Sequence, residues 1–299
     1  MYKLQAGVAL LQVLLISTAI SLLAIRFTLT AQDQIEVTYD IEQRVKAQLE
    51  ARSVLNEVLL LELSESVRDV SSLDALAVNR ELPLKADLNR YGVPIQWNEN
   101  TEVVIQDLNG LLPQIFPSHV LWKKLLLRST LSESAVDRYL GTWMDVQDHD
   151  IISWDKSGEE SVSLPSGGAV INGYTQNDKV ARWIFSEDPE LLEVVLAVSD
   201  VNATYDTNIF NAPKLLLNSI FEPSIASYIS LGRRDGTVIS KDAAAFLSSD
   251  YLFENIYSHN SNRINVTVRV SISDSEWVES LTINLDSDSS PPFKILLRN

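Results

Sequence analysis

The chain has 299 residues, with 40 acidic against 24 basic side chains, a net charge of −16 and a mean hydropathy of +0.03. So acidic a surface repels phosphate backbones, which argues against nucleic acid as a partner and leaves room for divalent cations. There is no cysteine, which excludes disulfides, thiolate metal sites and a cysteine nucleophile but does not fix the compartment.

The first element is apolar. Val8 to Ile25 contains no charge. As a helix it is about 27 Å long, close to the hydrocarbon thickness of a bilayer. Its polar residues, Gln12, Ser17, Thr18 and Ser21, are tolerable in a membrane helix. An ordinary cleaved secretory signal fits poorly. The leader from Met1 to Ala6 is short and carries only Lys3. The small residue Gly7 precedes the apolar run, and Arg26-Phe27-Thr28 follows Ile25 in place of an Ala-x-Ala-like site. A plain signal anchor is the alternative.

Gly7 followed by Val8-Ala9-Leu10-Leu11 resembles the leader of the type IV pilin and pseudopilin class. The resemblance implies that a prepilin peptidase cuts between Gly7 and Val8, that the new amino terminus is methylated, and that the apolar helix stays on the mature protein. Val8, Ala9 and Gln12 would then carry filament assembly. Most members have Glu at the fifth mature position, where this chain has Gln12. The member that lacks the acid is the large minor pseudopilin of type II secretion, pseudopilin K. A buried carboxylate is costly unless paired, so its loss is physically cheap in a tip subunit with no neighbour above it.

From Arg26 to about Val70 the pattern continues as helix, with no proline before Pro83 and no glycine between Gly7 and Gly92. Ile35, Ile41, Val45, Leu49, Leu55, Val58 and Leu59 fall near helical spacing. Asp33, Glu36, Asp40, Glu42, Arg44 and Lys46 cover the other faces. The stretch from Val54 to Leu63 is more apolar and is expected to be buried against a sheet. A coiled-coil stalk is disfavoured because the apolar stripe does not hold a heptad.

Ser72 to Val78 reads as a short helix. Val93 to Trp97 and Glu102 to Asp107 alternate as strands around an Asn98-Glu99-Asn100 turn, and Asp107-Leu108-Asn109-Gly110 closes the second. From Pro117 to about Leu247 the pattern is helical. Helices are expected at Val120–Leu127, at Glu133–Met144 with Ser132 as N-cap, and from Pro189 to Leu196. Two more follow, one capped at Asn211-Ala212 with Pro213 in its first turn and one from Pro223 to Arg234. Strands return at Arg263–Ile272, Trp277–Leu285 and Phe293–Leu297.

This order makes an α+β fold: a long N-terminal helix packed on an antiparallel sheet, with a large inserted all-α domain. Pseudopilin K is similar in organisation. The resemblance implies a leader at 1–7, a transmembrane segment at 8–25 and a pilin-like helix with first strands at 26–116. The inserted domain takes 117–250 and the closing strands 251–299. It also implies a single-pass inner-membrane protein with its bulk in the periplasm, assembling with minor pseudopilins I and J.

The densest acidic stretch is Trp143-Met144-Asp145-Val146-Gln147-Asp148-His149-Asp150, followed by Gly158-Glu159-Glu160. Calcium takes six to eight oxygens, often from a short loop plus a distant carboxylate. With Asp148 at position one of an EF-hand loop, Ile152 and Ser153 fall where an oxygen ligand and glycine are required, so a true EF-hand is excluded. Pseudopilin K similarly has a Trp-x-Asp-x-x-Asp segment with a downstream Gly-x-Glu, associated with calcium. The resemblance implies calcium ligation by Asp145, Asp148, Asp150 and Glu159 or Glu160. A solvated acidic loop is the plain alternative. A zinc site built on His149 has too few histidines.

The Asn211–Gly236 segment resembles a helix-hairpin-helix unit, but its hairpin lacks the glycine pair that lets backbone amides approach a phosphate. Arg233 and Arg234 are its only basic pair. His119, His149 and His259 have no catalytic spacing, and there is no Gly-x-Ser-x-Gly, P-loop or dinucleotide fingerprint, so an enzyme is not expected. The six tryptophans read as core residues. The leading expectation is a structural subunit at the tip of the type II secretion pseudopilus. The runner-up is a single-span, calcium-dependent periplasmic binding protein.

Overall fold

The computed structural model describes residues 3–66, 88–115, 119–129, 131–149, 152–154, 173, 177–204, 207–234, 261–273, 275–285 and 290–298. One helix, α1 (Lys3–Ser66), runs unbroken for 64 residues, about 96 Å at the usual rise. No proline and only Gly7 interrupts its sequence, so every interior amide keeps its partner. The expected helix at 72–78 lies outside the described residues.

Beside the upper part of α1 stands a five-stranded antiparallel sheet. Its strands are β1 (Ile95–Asn98), β2 (Thr101–Asp107), β5 (Arg263–Ile272), β6 (Ser275–Leu285) and β7 (Phe293–Arg298), in spatial order β1-β2-β5-β6-β7. The neighbouring strands β2 and β5 are far apart in sequence and pair in register from Thr101–Val270 to Asp107–Ile264. Period-two alternation puts one row of apolar residues toward the helix. Val103, Ile105, Ile264, Val266, Val268, Val270, Leu281, Ile283 and Leu285 are all buried there. The outward row is polar, with Asn265 and Thr267 hydrogen-bonded across to Ser280.

The helix packs on the sheet through its apolar upper stripe, extended downward by two alanines. Ala47, Ala51, Val54, Leu55, Val58 and Leu59 face the sheet. The burial expected between Val54 and Leu63 is observed at Val54, Leu55, Val58 and Leu59, while Ile35, Ile41, Val45 and Leu49, lower on the helix, stay exposed. The reason is steric: alanine brings the helix axis close to the strands, and the larger residues fall on the flanks. Glu50 ties one flank to the first hairpin by accepting from Asn98 Nδ2 at 2.9 Å and Thr101 Oγ1 at 3.0 Å. Higher up, the fully buried Glu62 pairs with Arg90 at 2.5 Å.

Between β2 and β5 the chain builds a helical block. A 3-10 turn (Leu108–Gly110) leads to β3 (Leu112–Pro113), then α2 (His119–Arg128), α3 (Glu133–Gln147), α4 (Lys179–Ile184) and α5 (Pro189–Val198). A two-residue strand β4 (Ser199–Asp200) pairs in parallel with β3. Helices α6 (Lys214–Ile220) and α7 (Pro223–Arg234) finish the block. Ser132 caps α3 as expected, accepting from the Ala135 amide. Pro213 sits at the N-cap of α6, one place before its expected position in the first turn. A second core forms here around Trp122, Trp143 and Phe185. The two indole rings lie 4.7 Å apart, and Phe185 meets Trp143 edge-on at 5.6 Å. Trp154 departs from the expected core role, being 49% exposed.

Candidate functional site

Three features of the fold carry functional information. The first is α1 itself. Gly7, Val8, Ala9 and Gln12 all lie on this helix, and Gln12 is exposed. From Leu10 through Ile25 the side chains are uncovered by the rest of the chain. The hydroxyls within the run are satisfied locally. Ser17 and Thr18 donate to the Leu14 carbonyl at 3.0 and 2.7 Å, and Ser21 donates to that of Ser17 at 2.9 Å. A hydroxyl closed on the helix's own backbone presents no unpaired donor to lipid. By length and composition α1 is the one described helix able to cross a membrane.

The second feature is the acidic end of α3. The buried face of this helix, Val136, Leu140, Trp143 and Val146, carries Asp145 inward to 6% exposure. One Asp145 oxygen accepts the Trp154 amide at 2.6 Å and the other accepts Ser153 Oγ at 3.4 Å. Asp145 is thereby a local brace for the chain leaving α3. Asp148 is the C-cap, its amide donating to the Met144 carbonyl at 3.0 Å. Its Oδ1 is shielded from solvent and has no hydrogen-bond partner among the described residues. The chain returns to this point when the Gly173 amide donates to the Val146 carbonyl. Asp150, Glu159 and Glu160 lie outside the described residues, and among the described residues no three acidic or histidine side chains converge as a metal cluster.

The fit to a hard cation is therefore divided. An orphaned, shielded carboxylate oxygen on Asp148 suits calcium. Asp145 does not offer itself in the same way, because both of its oxygens hold Trp154 and Ser153.

The third feature is a buried polar junction that the sequence does not reveal. Asp107, at the end of β2, is fully buried. Its Oδ1 accepts the Asn109 amide at 2.8 Å and Ser261 Oγ at 2.6 Å. Its Oδ2 accepts Asn211 Nδ2 at 2.7 Å and the Ser261 amide at 2.9 Å. One carboxylate thus ties the exit from β2, the middle of the helical block and the entry to β5. Gln106 adds a bond from Nε2 to the Asn211 carbonyl at 2.9 Å. Gly110 lets the backbones close together, since a Cβ there would lie 2.1 Å from the Asn211 carbonyl oxygen.

Arg233 joins the same junction. It donates to the carbonyls of Ala212, at 2.8 Å, and Ile209, and its guanidinium lies 4.9 Å from the centre of the Tyr91 ring. Burial lowers its pKa to about 10. One half of the Arg233–Arg234 pair is thus committed to internal packing.

No protein-family model matches the chain, and no curated protein sequence matches it. Among solved structures it is similar to a chain of the GspK-GspI-GspJ complex from the type 2 secretion system of enterotoxigenic Escherichia coli. The TM-score is 0.50 at 13% identity, over 86% of this chain and 98% of the other. The two share a fold. The α+β, pilin-like architecture expected from the residue pattern is the architecture observed.

Proposed function

We propose that this chain is a K-type minor pseudopilin, a non-enzymatic subunit seated at the tip of a type II secretion pseudopilus that assists export of folded proteins across the outer membrane. The observation that carries the reading is the order of parts: an uncovered apolar helix, its continuation packed on an antiparallel sheet, and a helical block inserted between two paired strands. The same fold, over 86% of this chain and 98% of the other, occurs in a chain of the GspK-GspI-GspJ complex.

Each part has a physical role in this reading. The uncovered length from Leu10 to Ile25 holds the subunit in the inner membrane before assembly. The bulk of the chain stands in the periplasm. Cleavage after Gly7 leaves Val8 as the methylated terminus, and Val8, Ala9 and Gln12 enter the filament. Gln12 needs no counter-charge from a subunit above it, which suits a tip position. The helical block is bulky and blocks further addition. Partners are the minor pseudopilins I and J. Calcium, in this reading, is held through Asp148 with help from Asp150, Glu159 or Glu160.

The test is the intact mass and N-terminal sequence of membrane-extracted protein, made with and without prepilin peptidase. A peptidase-dependent start at Val8, with the mass of one added methyl group, supports the reading. An uncleaved Met1 in the presence of active peptidase overturns it and leaves an anchored protein of another kind.

A further inference from the structure

Two Asn-Gly dipeptides occur in the chain, Asn109-Gly110 and Asn172-Gly173. In such a pair the side-chain amide is open to attack by the next backbone nitrogen, because glycine has no Cβ to shield it. Asn172 lies outside the described residues. Asn109 stands in the 3-10 turn at the root of the insertion. Its amide donates to Asp107 Oδ1 at 2.8 Å, its carbonyl accepts the Asn208 amide at 2.5 Å, and its Oδ1 accepts Thr204 Oγ1 at 2.6 Å. Gly110 beside it is buried, with the Asn211 carbonyl packed where a Cβ would be.

The reaction open to this pair needs only water. The Gly110 nitrogen attacks Asn109 Cγ and gives up its proton, the new N–C bond closes a succinimide ring, and the side-chain nitrogen leaves as ammonia. Water then adds to one of the two ring carbonyls and opens the ring. One opening gives aspartate. The other gives isoaspartate, whose backbone runs through Cβ and Cγ. Nothing is oxidised or reduced. For the attack, the nitrogen must swing onto Cγ by rotation about ψ and χ1 of Asn109. A 3-10 turn keeps ψ at about −20 to −30°. The Thr204 bond holds the side chain, and Gly110 has no room to move against Asn211. The closed junction therefore blocks the first step, and opening of the root releases it.

We propose that Asn109-Gly110 is a deamidation site gated by the buried junction, and that its conversion permanently marks a subunit whose insertion root has opened. The products do not fit the closed junction. Isoaspartate adds a backbone carbon just before Gly110, where the Asn211 carbonyl leaves no space. It also turns the carbonyl that accepts the Asn208 amide into a free carboxylate. Either product places a second negative charge two residues from the buried Asp107, and like charges at close range oppose reclosure. The inference rests on the junction and stands apart from the pseudopilin reading.

The test incubates the full chain in detergent, folded and in urea, in mildly alkaline buffer. Peptide mass spectrometry follows the amide-to-carboxylate mass gain at Asn109. In the folded chain, conversion is expected to be at least about tenfold slower than in urea, because reaction waits on opening. Asp107→Asn and Thr204→Val are each expected to speed conversion of the folded chain and to leave the rate in urea unchanged. The refolding arm uses Asn172→Gln, which removes the other dipeptide. Chain converted at Asn109 in urea and returned to native buffer is expected to melt at a lower temperature than unconverted chain taken through the same cycle. Equal rates at Asn109 in folded chain and in urea overturn the gate. Folded rates unchanged by both substitutions overturn the assignment of the gate to the junction. Full recovery of the thermal midpoint by converted chain overturns the permanent mark.

Discussion

Asp107 and Ser261 are 154 positions apart in sequence, yet the Asp107 carboxylate accepts both the amide and the hydroxyl of Ser261, at 2.9 and 2.6 Å. The first residue ends β2 and the second precedes β5. The carboxylate therefore closes the root of the insertion while also holding Asn211 inside it. Removing it leaves several buried donors without an acceptor, each worth about 1–3 kcal/mol. Asp107→Ala is expected to lower stability by about 3–5 kcal/mol. Asp107→Asn, which keeps one oxygen, is expected to cost less. Urea denaturation reads the order, and equal stability of Asp107→Ala and wild type counts against the junction.

Gly110 makes the same junction possible by backbone proximity. A methyl group there would lie 2.1 Å from the Asn211 carbonyl oxygen and 2.4 Å from its carbon. Neither atom is the end of a flexible side chain, so the backbone must move. Gly110→Ala is expected to destabilise by more than about 4 kcal/mol, in the range reserved for steric failures. Soluble yield and thermal midpoint check it. Gly141→Ala is the control, because its added Cβ would sit 3.8 Å from Trp154 Cδ1, at ordinary contact distance.

The long elements were legible because their periodicity is long. Ten alternating residues from Arg263 to Ile272 define β5, and Pro223 to Arg234 define α7, with the bounds read from the pattern. The six-residue α4 and the two-residue β3 and β4 are too short to show a period. The upper stripe of α1 was legible in Val54, Leu55, Val58 and Leu59, whereas Ala47 and Ala51 weigh little in hydrophobicity yet decide how closely the helix approaches. At the candidate site, the clustering of Asp145 and Asp148 at a helix end was visible, but not that Asp145 is occupied by Trp154 and Ser153. The Asp107 junction had no local signature beyond an acid-glycine turn, since its bonds to Asn211 and Ser261 span 104 and 154 positions.

Asp200 supplies a pH dependence. Burial raises its pKa above the usual value, against bonds from the Asn202 amide and side chain that lower it, with the Asp178 charge adding to the rise. A raised acid binds its proton more tightly folded than unfolded. Its contribution therefore falls as pH climbs from the unfolded value, about 4, through the folded one, and the full penalty is present at neutral pH. Asp200→Asn retains an acceptor for Asn202 without the charge. It is expected to be more stable than wild type at pH 7, with the advantage vanishing below about pH 4. A variant less stable than wild type at neutral pH contradicts this account.

The acidic end of α3 allows structure and ligation to be separated by two substitutions. Asp145 braces Trp154 and Ser153, so Asp145→Ala is expected to lower stability by about 2 kcal/mol with or without calcium. Asp148 carries the shielded oxygen with no hydrogen-bond partner among the described residues. Asp148→Asn is expected to change little in the presence of a chelator, since no hydrogen bond to Oδ1 from the described residues is lost. In millimolar calcium, wild type is expected to gain thermal stability by mass action, and Asp148→Asn to lose most of that gain. The comparison is made by thermal unfolding with chelator and with added calcium, using magnesium as the control. A calcium-dependent rise that survives Asp148→Asn places the cation elsewhere. The absence of any rise in wild type identifies the stretch as a solvated acidic loop, in which the Asp148 oxygen is shielded by packing alone.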